Sequence, residues 1–349
     1  MFRTRETHSL ESERRAGTHD SGIVTAITLA IAFNVIAGFN DGGNLLAAAT
    51  SSRTIAPAMA FLIITLGALV GPLIAGTAVA QTVGHGIVDY RVVGPLPLIG
   101  GLAGGTLALL FAFAARVPVS ASVALVSATI GSLIATRQMH ELVWSGVAKV
   151  GFSLLGSIIV GFVAGAIIHT ITVIAFRNVG LRTGNRIMSL QYVTVALQAI
   201  GYGANDAEKM VGLLVAATMI GSATASFTVP FWAIATSVAA FSVGMAVGGT
   251  RVAKTVGGKL FRITPLHALS FQVASAATVL TASALGGPIS TTETTASAIM
   301  GVGAADNPRA LRWQVAGELV VAWLLTAPVG LLAGLAMTYL LRTLFYGAS

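Results

Sequence analysis

The chain alternates long apolar runs with short polar breaks. Candidate segments cover roughly 22–50, 58–82, 94–115, 118–136, 143–176, 188–218, 225–249, 264–286, 288–304 and 312–341. Most reach the about 20 apolar residues that a helix needs to cross a bilayer. Segments 118–136 and 288–304 are shorter, and each opens on a proline followed by hydroxyl residues, PVSAS and PISTT. Such pieces are expected to be re-entrant half-helices. Several segments are crowded with small residues (GLAGGTLALL, GSATASF), as in membrane helices that pack backbone to backbone.

Composition agrees with this pattern. Of 349 residues 55% are hydrophobic and 9% charged, with a mean hydropathy of +0.86. Soluble domains carry about 25% charged residues, so a multi-pass membrane protein is expected, here of the cell (inner) membrane. The absence of cysteine excludes disulfides, thiolate metal sites and a cysteine nucleophile. The formal net charge of +8 would suit nucleic acid, but the arginines and lysines fall almost entirely in loops and tails, where membrane topology explains them. The polar first 21 residues are expected to form a disordered tail, without the apolar core and cleavage site of a signal peptide.

The chain also repeats itself. GFNDGGN (38–44) has a counterpart in GYGANDAEK (201–209), and VPVSAS (117–122) has one in GPISTT (287–292), with Pro118 matching Pro288. Both signals occur once per half, in the same order. The expected organisation is a tail (1–21), a first membrane repeat (22–176), a basic cytoplasmic linker (177–187) and a second repeat (188–349). The loops 177–186 and 251–262 hold most of the interior positive charge, including Arg177, Arg182, Arg186, Arg251, Lys254, Lys259 and Arg262. Positive loops stay cytoplasmic. The first-half counterpart of 251–262 carries only Asp89 and Arg91, so the two repeats should be inverted. The fold class is therefore an all-α polytopic membrane protein with two inverted-topology repeats, each containing discontinuous helices and a re-entrant helical hairpin.

Chemistry concentrates in the repeated motifs. Asp41, Asp206, Glu208 and Glu293 lie inside apolar segments, with Glu318 as a further acid on the last one. A charge at bilayer depth costs about 2.5–3.5 kcal/mol on insertion scales and normally marks a pathway. Asn40, Asp41, Asn205 and Asp206 offer hard oxygen ligands for a driving cation, with Na⁺ at Asp41 and Asp206, or a protonatable site. Gly42 and Gly43 are expected to unwind the helix beside them. Lys209, one helical turn from Asp206, either neutralises it or contributes charge toward an anion. Ser120, Ala121 and Ser122, with Ser290, Thr291 and Thr292, open the two short helices. Their free N–H groups and hydroxyls would form an anion site, aided by Asn44. Helix capping alone is the plainer alternative for either stretch.

These residues resemble the PiT-type inorganic phosphate transporters, whose repeats each carry a GANDVAN-like signature. GFNDGGN and GANDAEKMVG look like the two signatures, PVSAS and PISTT look like the family's Pro-x-Ser-Ser/Thr-Ser/Thr-His hairpin motifs, and GGTRVAKTVGGKLFRITPLHALSFQ resembles the stretch before the second hairpin. The resemblance implies secondary transport of inorganic phosphate coupled to Na⁺ or H⁺, a substrate site between the hairpins and a homodimer in the lipid bilayer; the two repeats lead us to expect alternating access about a midplane site. There are departures. The hairpin histidine is Val123 in one copy and Glu293 in the other. Glu208 stands where Gln is common, and Gly42-Gly43 where larger residues are usual. Extra carboxylates near an anion require accompanying protons or cations, which favours H⁺ coupling. Sulfate is the alternative substrate.

Two other classes compete. An intramembrane aspartyl hydrolase would use Asp41 and Asp206 as a proton-sharing dyad, but it leaves the asparagines, hairpins and repeat unexplained. A channel would conduct without coupling. No P-loop or G-x-S-x-G motif occurs, and no catalytic residues, cofactor beyond the coupling ion, or nucleic-acid partner are expected.

Overall fold

The computed structural model describes residues 21–115, 117, 119–177, 184–220, 226–256 and 260–346. The expected tail, Pro118, linker residues 178–183 and Lys259 lie outside them, as do the side chains of 184–188 and 249–256. The first half comprises α1 (Ser21–Thr50), α2 (Pro57–Ala75), α3 (Ala78–Gly84), α4 (Tyr90–Val93), α5 (Pro95–Ala115), α6 (Ala121–Thr136) and α7 (Trp144–Phe176). The second comprises α8 (Gly184–Tyr202), α9 (Glu208–Met219), α10 (Phe231–Val256), α11 (Pro265–Ala284), α12 (Thr291–Asp306) and α13 (Trp313–Tyr346). Among the described residues the only β-type pairing is one bridge, Val88 to Leu142.

Among the described residues, six helices are long and apolar enough to span a membrane: α1, α2, α5, α7, Phe231–Gly248 of α10 and Trp313–Leu344 of α13. Large side chains such as Phe152, Ile159, Val247 and Leu324 stay exposed on their outer faces, where a bilayer would cover them. The chain is an integral multi-pass membrane protein. α6 and α12 have 16 residues each, about 24 Å of helix against a hydrocarbon core of about 30 Å.

Two sequence expectations change form. The segment expected at 58–82 stops at Gly76, whose φ of 86° ends α2, and the helix resumes as α3. The anticipated unwinding at Asn40-Asp41 and Asn205-Asp206 is instead one π turn in each half, Gly38–Gly42 and Gly203–Ala207. The helix widens there without opening, because Ala37, Gly42 and Gly43 all keep right-handed helical angles. Gly42 has a different use. A Cβ on it would strike Met245 and Phe241 of α10, so its missing side chain serves packing.

Glycines also set how the halves interlock. A side chain on Gly38 would meet the Phe241 carbonyl of α10, and one on Gly203 the Ala68 carbonyl of α2. Each π turn thus nests against a helix of the other half, the first on α10 and the second on α2. The short helices behave the same way. Gly161 and Gly165 of α7 face the backbone of α12, while Gly330 and Gly334 of α13 face that of α6. With no hydrophobic drive between helices in lipid, this backbone approach adds packing cohesion.

At the far end of α12, Asp306 joins three elements. His169 of α7 lies 3.5 Å from its Oδ1, and His267 of α11 lies 3.2 Å from its Oδ2. The distances would allow a metal ion, but the Thr264 N–H donates to His267 Nδ1 at 3.1 Å. His267 Nε2 must then carry the ring proton and donate to Asp306, so the cluster is a hydrogen-bonded clamp. Glu318 is exposed and accepts from Gln314 at 3.3 Å, away from the buried acids.

The packing predicts an asymmetry between two glycines. Gly301→Leu drives a side chain into the Phe162 carbonyl of α7, whereas nothing lies within 4 Å of a Cβ on Gly156. Overpacking against backbone costs about 1–3 kcal/mol or more. The expected outcome is a clear fall in melting temperature in detergent for Gly301→Leu and almost none for Gly156→Leu.

Candidate functional site

The two π turns place Asn40, Asp41, Asn205 and Asp206 in the interior, none more than 7% exposed. Asn205 acts as a brace. Its Nδ2 donates to Ser283 Oγ and to the Gly287 carbonyl, both at 3.0 Å, and its Oδ1 accepts from the Ile289 N–H at 3.0 Å. One amide side chain therefore fixes the turn between α11 and α12, and with it the start of α12.

That start meets both aspartates. Ser290 caps α12 by accepting from the Glu293 N–H at 3.3 Å, and Thr291 and Thr292 then project from the first turn. Thr291 Oγ1 donates to Asp206 Oδ2. Thr292 Oγ1 donates to Asp41 Oδ1 at 2.8 Å and is within 3.5 Å of Asn44 Nδ2. Successive hydroxyls of one helix thus each hold an aspartate from a different half. Asp41 and Asp206 also lie close enough to repel one another.

Lys209 stands at the centre. Its ammonium pairs with Asp206 Oδ1 and donates to Ser122 Oγ and the Ile289 carbonyl, and the residue is only 2% exposed. Ser122 Oγ itself lies 3.2 Å from the Ile289 carbonyl. The α6 start arrives from the opposite direction. Ser120 caps it by accepting from the Val123 N–H at 3.2 Å and lies beside the Glu293 carboxyl. Ala121 is buried as the first residue of α6. The two short helices therefore face each other through Ser120–Glu293 and Ser122–Ile289, with Lys209 against the second contact.

Most of the residues singled out from sequence converge here: Asp41, Asn44, Ser120, Ala121, Ser122, Asp206, Lys209, Ser290, Thr291, Thr292 and Glu293. Three have side-chain atoms engaged elsewhere, although Glu208 Oε1 is buried without a partner. Asn205 is spent on the α11–α12 turn. Asn40 Nδ2 bonds back to the Ile36 carbonyl at 3.3 Å. Glu208 turns away and accepts from the Val79 and Ala80 N–H groups at 3.1 and 3.3 Å, capping α3.

A polar row beside the site was missed. Gln198 Nε2 donates to Thr295 Oγ1 at 3.2 Å, Thr295 bonds Ser275 at 2.8 Å, and Thr194 donates to Gln272. The usable signal was glutamines inside apolar segments, Gln191, Gln198 and Gln272 among them, because an amide at membrane depth needs partners. Asn44 Oδ1, Gln198 Oε1, Glu293 Oε1 and Ser297 Oγ are buried with no partner. A narrow cavity of about 30 Å³ runs from Asn44 and Thr292 past Thr295 to Ser51, Ile263 and Trp323. The arrangement holds three buried carboxylates (Asp41, Asp206, Glu293), one ammonium and a set of hydroxyl donors at helix starts. Such a set can hold cations on the carboxylates and an oxyanion on the donors.

Comparison with known proteins supports a transporter. A solved structure described as the sodium-dependent phosphate transporter superposes with a TM-score of 0.78 over 93% of this chain and all of that one, at 23% identity. A probable low-affinity inorganic phosphate transporter from Rhizobium meliloti is 32% identical over 312 residues, covering 89% of this chain and 93% of the relative. One from Bacillus subtilis is 29% identical over 326 residues, covering 92% and 98%. Residues 37–189 and 175–334 match the sequence model of the phosphate transporter family. The chain belongs to the phosphate transporter family.

Proposed function

We propose that this protein carries inorganic phosphate across the cell (inner) membrane together with a cation, by alternating access at the site between α6 and α12. The relatives' described activity supports the substrate. The observation that carries the mechanism is the pairing of Thr291 with Asp206 and Thr292 with Asp41. Donors suited to an oxyanion are already engaged by the protein's own carboxylates. A cation or proton on Asp41 and Asp206 weakens those bonds and frees the two hydroxyls and Lys209 for phosphate. Binding of cation and anion then support each other, as co-transport requires.

Charge counting supports the same reading. Three carboxylates against one ammonium leave the buried site two positive charges short, and adding a phosphate anion deepens the deficit. Coupling cations restore the balance. Glu293, with one oxygen unpartnered, favours the proton as at least one of them. The hard oxygens of Asp41 and Asp206 suit Na⁺. Sulfate, also a tetrahedral oxyanion, is the alternative substrate.

The repeated elements support two inverted repeats (22–176 and 188–349) joined by a cytoplasmic linker, with α5–α6 and α11–α12 as re-entrant hairpins. Packing suggests what moves. α6 packs on α5 and α13, and α12 on α7 and α11. Each mobile body is therefore one hairpin with the other half's long helix, and the two bodies rock about Lys209. A homodimer would place the exposed outer faces against a second copy.

Radiolabelled phosphate uptake into proteoliposomes tests this, with pH and Na⁺ gradients imposed separately and sulfate as competitor. Saturable uptake driven by a cation gradient is expected, and Asp41→Asn should abolish it while leaving the protein inserted. Uptake by that variant at the wild-type rate overturns the assignment. Stability supplies a second test. Lys209→Met leaves Asp206 buried without its partner and should cost about 3–5 kcal/mol, read as a large drop in melting temperature. Adding Asp206→Asn should recover most of it.

A further inference from the structure

A second basic feature lies outside this cluster. Between α3, the start of α7 and the α11–α12 turn is an open pocket of about 430 Å³, lined by Gln81, Thr82, His85, Lys149, Leu285 and Gly286 among others. Its cation is Lys149. Among the described residues Lys149 forms no ion pair within 4 Å, and its ammonium contacts only Thr82 Oγ1, at 3.4 Å. The same hydroxyl lies 2.8 Å from the Gly286 carbonyl, to which it donates. Lys149 also hangs over Gly286, where a Cβ would come within 2.9 Å of the ammonium. Gly286 has a φ of 65°, so glycine keeps this seat both unstrained and clear.

No carboxylate lines the pocket. The acid next to it in sequence, Asp89, is held by Arg91 at 2.7 and 2.9 Å and faces His85 at 3.6 Å. The Arg91 hydrogen bond keeps the Asp89 carboxyl below its ordinary range. Glu208 lies behind the α3 backbone, bonded to Val79 and Ala80. The pocket therefore presents net positive charge and hydrogen-bond donors to water.

Its position relative to the central site is defined. The floor is the turn whose Gly287 carbonyl is held by Asn205, the residue before Asp206. Lys149 is 20 residues before His169 on α7, about 30 Å along the helix. His169 meets Asp306 at the end where α11 begins, just after residues 260–264. The pocket thus opens at the end of α7 opposite the start of α11.

We propose that Lys149 and this pocket form an outer oxyanion site, which collects phosphate from the external side before it passes the Gly286–Gly287 turn. This rests on the transport reading and on the cytoplasmic placement of 251–262. Lys149 supplies the charge and the Gln81 amide supplies a donor, while Thr82, whose own proton goes to the Gly286 carbonyl, positions the ammonium; the open mouth leaves the anion partly hydrated. The site is separate from Lys209, whose ammonium is saturated by Asp206, Ser122 and Ile289. An exposed positive mouth raises encounter rates with anions, and salt weakens the effect.

The chain has no cysteine, so Leu285→Cys introduces one exposed thiol into the pocket with Lys149 and Gln81 intact. In intact cells, a charged membrane-impermeant thiol reagent added outside should label it, and external phosphate at constant ionic strength should slow the labelling. Lys149→Gln in the same background should remove that protection. In uptake, Lys149→Gln should raise the phosphate KM about tenfold, at the low end of steering effects, with little change in maximal rate, and Lys149→Arg should restore it. Labelling that phosphate does not slow, or an unchanged KM in Lys149→Gln, overturns the outer site even where uptake is normal. Protection by sulfate without phosphate uptake would keep the oxyanion site and instead overturn phosphate as the substrate.

Discussion

The structure depends on one buried ammonium. Lys209 is 2% exposed and sits among Asp206, Ser122 and the Ile289 carbonyl. A charge in that setting is tolerated only with partners in good geometry. Its partners come from different places: Asp206 from its own helix, Ser122 from α6 and Ile289 from the turn before α12. Satisfying one ammonium thus draws the starts of both short helices to one point. Asn205 reinforces this by spending its whole amide on the α11–α12 turn. The polar interior works as the joint between elements that lipid gives no hydrophobic reason to associate.

Around that joint the two halves are exchanged more than juxtaposed. The π turn of α1 lies on α10 and that of α8–α9 on α2, while α6 lies on α13 and α12 on α7. A boundary drawn in the sequence near residue 180 therefore does not separate two packing units. Each short helix is backed by a long helix from the opposite half, with glycine allowing backbone contact along that seam. Sliding or tilting along such a seam disturbs few side chains, whereas pulling α6 or α12 from its backing helix would expose close-packed backbone to lipid.

Much of this was legible in the sequence because membrane constraints are severe. Segment ends such as 22–50 against Ser21–Thr50, and 143–176 against Trp144–Phe176, fall close to the structure because apolar length is set by the bilayer. Asp41, Asp206 and the hydroxyls at 290–292 were readable because acids and paired hydroxyls are rare at depth and recurred in the same order at nearly the same separation. Other features were not readable. Asn-Asp beside glycine reads equally as unwound chain or as a π turn, and only Met245 and Phe241 across the interface decide how Gly42 is used. Glu208, one residue from Lys209, looked like part of the same cluster. On a helix, adjacent residues point about 100° apart, and this one faces the start of α3. The glutamine row was hidden because single amides among apolar residues carry no motif.

On the proposed reading, the same geometry explains why a transporter would let carboxylates occupy its anion donors. A site with Lys209, Thr291 and Thr292 free would bind phosphate without a cation, and the two halves of the cycle would uncouple. With Asp206 and Asp41 competing for those donors, anion affinity is low until the carboxylates are neutralised. By linkage, the bound anion raises cation affinity by the same factor. The competition needs both aspartates on one helix turn, since a single hydroxyl could respond to only one cation. Thr291 and Thr292 are adjacent and point to opposite halves, so cations on Asp41 and Asp206 would be sensed together at the start of α12. Duplication of the Asn-Asp turn then has a physical use: it brings two cation sites from two halves to bear on one helix end.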